Sequence, residues 1–173
     1  MEKFTQIVTV VSNIISWTAY GASVFVAALI TSDIILHVFF RYVLNNSLQW
    51  AEEAGIYLMI WMVFLGSSLL MKKSEHITLT ALVRQLPLKI RVAVSLFSRL
   101  IVLIFLIFLV YYGFKIFASK VGAISPGLHI NVRWVKLAIP VGGILMIIDS
   151  IYLLVNDMER LIKGDLDHFR YIT

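Results

Sequence analysis

Few side chains in this chain offer chemistry, and those few sit in or beside long apolar runs. Glu52 and Glu53 are adjacent acids that follow Trp50. Paired carboxylates can do acid–base work, but neighbours on a helix point about 100° apart and do not converge on one substrate atom. At the start of a helix they complement its positive dipole end instead. Arg41, across a short polar turn, is placed to pair with one of them. Asp33, His37 and Arg41 recur at four-residue spacing and so share one helix face as a polar ladder. Histidine titrates near neutrality, so one reading is a proton-carrying chain. The more general reading is a stripe facing headgroups or a partner. His37 as a haem or metal ligand lacks a second histidine on another apolar run.

Arg99 and Asp149 lie within apolar runs, where an unpaired charge costs at least ~2.5–3.5 kcal/mol. If the third and fourth runs are antiparallel neighbours, the two residues fall at similar depth and can pair. The functional reading is an ion or proton relay; the plainer one is a structural pair or a polar contact with another subunit. There is no cysteine, which removes disulfides, thiolate nucleophiles and iron–sulfur sites. No glycine-rich phosphate loop, serine–histidine constellation or metal-spaced cluster is present, so neither enzyme activity, nor a cofactor, nor a metal is expected. Asn45-Asn46-Ser47 matches a glycosylation tripeptide, a weak signal in a turn this close to the membrane.

The elements that position these residues follow from the apolar runs. The chain of 173 residues is 60% hydrophobic and 14% charged, with a mean hydropathy of +0.91. A soluble domain so apolar would expose large aggregating patches, and the length leaves no room for a separate soluble domain beside the spans. The fold expected is an all-α integral membrane protein, a single domain of four transmembrane helices at about 13–42, 48–71, 90–118 and 132–156. The clearest is the second, where the 18 uncharged residues from Ala54 to Met71 span roughly 27 Å, close to the hydrocarbon thickness. In the first, Ala19, Ser23, Ala27 and Thr31 form a stripe of small residues that permits close approach in lipid, as does Gly142-Gly143 in the fourth. Between the second and third spans, 74–89 is too polar to cross. Leu79, Leu82, Val83 and Leu86 share one face there, predicting a short interfacial amphipathic helix stopped by Pro87.

The basic residues sit beside apolar spans, so their attraction is to anionic headgroups of membrane lipids, with no nucleic acid partner implied. Nine of the 15 Lys and Arg residues fall in the termini and second loop and five in the first and third loops. That bias places both termini in the cytoplasm.

The pieces Arg41-Tyr42-Val43, Trp50-Ala51-Glu52-Glu53, Trp61-Met62-Val63-Phe64-Leu65-Gly66 and His76-Ile77, in this order and spacing, resemble the small membrane subunit of TRAP (tripartite ATP-independent periplasmic) transporters, the DctQ/SiaQ-like family. Ser125-Pro126-Gly127-Leu128 before Trp134 and Pro140 is similar too. The resemblance covers nearly the whole chain. It implies a non-catalytic scaffold subunit in the bacterial inner membrane, part of a sodium-coupled transporter for an organic acid such as sialic acid or a C4-dicarboxylate. Its partners would be a large multi-span membrane subunit, here a separate polypeptide, and a periplasmic substrate-binding protein. By the same resemblance Arg41, Trp50, Glu52 and Glu53 organise the periplasmic hairpin. Gly66 allows close helix packing, and His76 starts the cytoplasmic interfacial segment. The rival reading from the residues alone is a self-sufficient homo-oligomeric channel or proton-coupled exporter using Asp33, Arg99 and Asp149. A third, a membrane redox enzyme or haem carrier built on His37, is opposed by the missing cysteines and paired histidines.

Overall fold

All three prolines, Pro87, Pro126 and Pro140, fall at or near element boundaries, and the helices between them run uninterrupted. The computed structural model describes residues 2–73, 87–119 and 124–162. Within them are α1 (Glu2–Tyr42), α2 (Gln49–Lys73), α3 (Leu88–Ala118), the short α4 (Arg133–Lys136) and α5 (Ala138–Ile162). Four helical stretches are long and apolar enough to cross a membrane: Val8–Tyr42, Gln49–Lys72, Val92–Ala118 and Arg133–Glu159. Among the described residues there is no strand, only an isolated bridge between Ile124 and Asn131.

The helices pack in the order α3, α5, α2, α1, and α1 also reaches α5. α5 is therefore the central element, and its sequence suits that place. Gly142 and Gly143 are both buried. A Cβ on Gly142 would come within 2.6 Å of Phe64 Cβ on α2, and one on Gly143 within 2.6 Å of Val110 Cγ2 on α3. Two adjacent glycines thus let α5 be gripped from both sides. The buried set is mostly small or polar (Ala19, Ala51, Ala138, Ser12, Ser68 and Ser150 among them), with Leu65, Leu106, Val135 and Leu153 its larger apolar members, while Trp17, Phe25, Phe97 and Phe105 point outward. That inversion suits a chain whose solvent is lipid, where large apolar side chains gain little by burial and small ones let backbones approach.

Boundaries differ from expectation at three places. α1 starts well before residue 13, because Thr5, Gln6 and Asn13 lower the hydropathy without breaking the helix. The fourth span is interrupted once: Pro140 has no N–H for the Lys136 carbonyl, so α4 stops there and the chain passes through Leu137 into α5. α5 then continues to Ile162, six residues beyond the expected end at 156. The predicted interfacial segment, about 74–89, lies over 74–86 outside the described residues, and its last two residues, Leu88 and Lys89, belong to α3. Pro87 is the residue that precedes the first turn of α3.

The α1–α2 turn folds back on the end of α1. Asn45 adopts φ 50°, and Asn46 N donates to Phe40 O at 3.0 Å. The turn and the α3–α4 loop lie at the same end of the bundle, below called the hairpin end.

Candidate docking face and membrane polar sites

At the hairpin end, two segments far apart in sequence form one unit. Glu53, in the first turns of α2, accepts hydrogen bonds at Oε2 from Gly127 N (3.0 Å), Leu128 N (3.1 Å) and the Ser125 hydroxyl. Ser125 Oγ in turn accepts from Leu128 N at 3.1 Å. The loop is folded to present these donors: Ser125 N donates to Ile130 O at 2.9 Å and His129 N to Ser125 O at 3.0 Å. Gly127 is the residue that permits the approach, since a Cβ there would sit 3.0 Å from Glu53 Oε2 and 3.1 Å from Gln49 O. Successive amides converging on a carboxylate make an anion cradle, filled here by the chain's own side chain.

The expected Arg41–glutamate pair does not form. Arg41 is exposed, its guanidinium 5.9 Å from the Tyr42 ring centroid, and among the described residues no ion pair joins it to Glu52 or Glu53. The cradle offers Glu53 three donors on one oxygen, which leaves Arg41 no role in holding it. Trp50 and Glu52 remain exposed beside the clamp, as does Trp134 just beyond the loop.

Within the membrane the predicted pairing of Arg99 with Asp149 is also replaced. Arg99 Nε lies 2.8 Å from Asp157 Oδ2. Asp149, fully buried, accepts from Ser12 Oγ on α1 (2.9 Å) and Ser68 Oγ on α2 (2.8 Å). The reason is rotation about the helix axis. Residues eight apart on a helix differ by roughly 80° in direction, so α5 turns Asp149 toward α1 and α2 and Asp157 toward α3. Near Asp149, Lys72 Nζ donates to Asn13 Oδ1 (2.8 Å) and Ser16 Oγ (3.0 Å) and lies 5.4 Å from the Tyr152 ring centroid. Ser12, Ser68 and Asp157 escaped the sequence reading. The serines gave no signal among so many, and Asp157 stood just past the assumed helix end.

Asp33 and His37 do share a face of α1, turned toward α2. Asp33 is half-buried, and a Cβ on Gly55 would lie 2.9 Å from its Oδ2. A cavity of about 210 Å³ opens there between the helices, walled by Ile34, Ile56 and Met59, with Asp33, His37 and Glu52 in its lining. Among the described residues Asp33 accepts no hydrogen bond, and His37 Nδ1 is buried without a partner. Asp33, Arg99 and Asp149 thus fall into three separate sets of contacts. Gly66 is half-buried, and a Cβ there would meet nothing within 4 Å in this chain. His76 lies outside the described residues. Among those residues no three His, Cys, Asp or Glu side chains converge as a metal site.

Four apolar spans, polar groups that are mostly bonded to one another and an exposed polar end describe a membrane subunit. Comparison with known families assigns it: residues 30–160 match the family described as "Tripartite ATP-independent periplasmic transporters, DctQ component". The chain belongs to that family, a transporter component and a multi-pass protein of the inner membrane. It is 26% identical over 122 residues to the sialic acid TRAP transporter small permease protein SiaQ of Vibrio cholerae, covering 70% of each chain. It is 29% identical over 126 residues to the sialic acid TRAP transporter permease protein SiaT of Haemophilus influenzae, 73% of this chain but only 20% of that one. A shorter match, 33% identical over 55 residues, joins it to the C4-dicarboxylate TRAP transporter small permease protein DctQ of Vibrio cholerae, covering 32% of this chain and 24% of that one.

Proposed function

We propose that this chain is the non-catalytic scaffold and docking subunit of a sodium-coupled transporter for an organic acid. It packs in the inner membrane against a large multi-span subunit that carries substrate, and its hairpin end, facing the periplasm, helps receive a soluble substrate-binding protein. Both termini are cytoplasmic in this reading. The substrate class rests on the names of the relatives, sialic acid and C4-dicarboxylate, which share a carboxylate.

One observation carries the reading: two of the three charged groups singled out within the spans, Arg99 and Asp149, are bonded to fixed partners within the chain. Asp149 has two serines, and Arg99 has Asp157. Neither group is left free to bind and release an ion during a transport cycle, whereas fixed pairs suit a rigid support. The exposed Trp50, Glu52 and Trp134 at the hairpin end, steadied by the Glu53 cradle, are the residues offered for docking.

The test is reconstitution into liposomes. The chain alone should give no sodium, proton or organic-acid flux. The chain with its large subunit and binding protein should give sodium-dependent uptake, lost when this chain is omitted. Flux from the chain alone, abolished by Asp33→Ala or Asp149→Ala, would replace this reading with a homo-oligomeric channel or exporter.

A further inference from the structure

We propose that the groove between α1 and α2 at the hairpin end, centred on Asp33 and His37, receives a lysine or arginine side chain from a membrane helix of the large subunit. The inference rests on the scaffold reading above and names the surface and the chemistry of contact.

The polar groups packed between helices elsewhere are largely completed from within. Asp149 and Glu53 accept hydrogen bonds from other elements, Arg99 is paired with Asp157, and Lys72 is bonded to Asn13 and Ser16. Asp33 stands apart. Its electrostatic neighbour is His37 on its own helix, and no donor from another element reaches it among the described residues. His37 Nδ1 beside it is buried and unpartnered. Nine residues, roughly 13 Å of helix, separate Asp33 from the end of α1 at Tyr42, which sets the carboxylate below the interface. A charge there is retained when something outside the chain completes it.

The groove specifies the shape and charge of that group. Its walls, Ile34, Ile56 and Met59, are apolar, and its acids are Asp33 and Glu52. A long aliphatic stem ending in a cation matches both. A phospholipid matches less well, because its headgroup amine comes with a phosphate that these acids repel. A protein source also accords with the SiaT relative, in which the matching segment is 20% of one longer polypeptide.

The chain has no cysteine, so Met59→Cys can carry a benzophenone maleimide in the complex purified with its large subunit. Irradiation should link it to a large-subunit peptide holding a Lys or Arg within one helical turn. Asp33→Asn should cut recovery of the large subunit about tenfold or more, while leaving the isolated chain at least as stable to heat in detergent, since a buried neutral group costs less than a buried charge. Asp33→Lys should abolish recovery, and reversing the linked cation to Asp should restore it. Cross-links to lipid only, cross-links to a peptide without a cation, or recovery indifferent to Asp33→Asn would each overturn the proposal. In those cases a wild-type chain that still brings down the large subunit leaves the scaffold reading intact. A wild-type chain that brings down none sinks both.

Discussion

Glu53 shows how a single carboxylate can define an end of a membrane protein. One oxygen gathers Ser125, Gly127 and Leu128, so removing it unties a loop as well as a bond. Glu53→Ala should speed hydrogen exchange at the Gly127 and Leu128 amides, with Glu53→Gln intermediate because its carbonyl still accepts. Unchanged exchange in both would mean that the loop holds itself. Arg99 and Asp157 present the opposite case, a pair whose value lies in not being broken. Asp157→Ala should cost about 3–5 kcal/mol by stranding a guanidinium among helices, whereas replacing both residues together (Arg99→Met with Asp157→Leu) should recover most of it. Detergent denaturation of the two variants, read beside uptake by the complex carrying the double variant, distinguishes a structural pair from a relay, because a relay requires the charges and would lose transport in the double variant.

At the scale of helices, α5 is held by absences. Gly142→Ala and Gly143→Ala each force a methyl to within 2.6 Å of a neighbour, and each should cost about 1–3 kcal/mol, read as a lowered melting temperature. Gly66→Ala is the control with the reverse sign. Nothing lies within 4 Å of its added Cβ, so the isolated chain should gain up to about 1 kcal/mol of helix propensity. If Gly66 packs against the large subunit, the same substitution should weaken recovery of the complex. Much of this architecture was legible from uncharged runs alone, since Ala54 to Met71 admits no other reading than a span. The partners were less so. Depth along antiparallel helices is countable, but whether Arg99 meets Asp149 or Asp157 depends on rotation about α5, which spacing to a distant helix does not encode. Glu53 and Ser125-Pro126-Gly127-Leu128 were both noticed, yet nothing local ties residues more than 70 positions apart.

As a whole the described residues form a bundle of four membrane-long helices with exposed aromatic side chains on α1 (Trp17, Phe25) and α3 (Phe97, Phe105), the two ends of the packing order. The proposed orientation, with both termini cytoplasmic, rests on the basic residues clustered in the termini and the second loop. In intact cells, Ser47→Cys should react with a membrane-impermeant maleimide added outside, once the outer membrane is permeabilised, and Gln6→Cys should react only after lysis. The reversed pattern would invert the assignment of the docking end. The distance in sequence across the Glu53 cradle also sets a clock on the ribosome. When Glu53 emerges, its donors at Ser125 and Gly127 are still 72 and 74 residues away, or about 4–15 s of synthesis. Through that interval the first helical hairpin must persist in the membrane with its end unlatched. The latch closes only after α3 has threaded across, so a defect in inserting α3 would surface at the opposite end of the hairpin made before it.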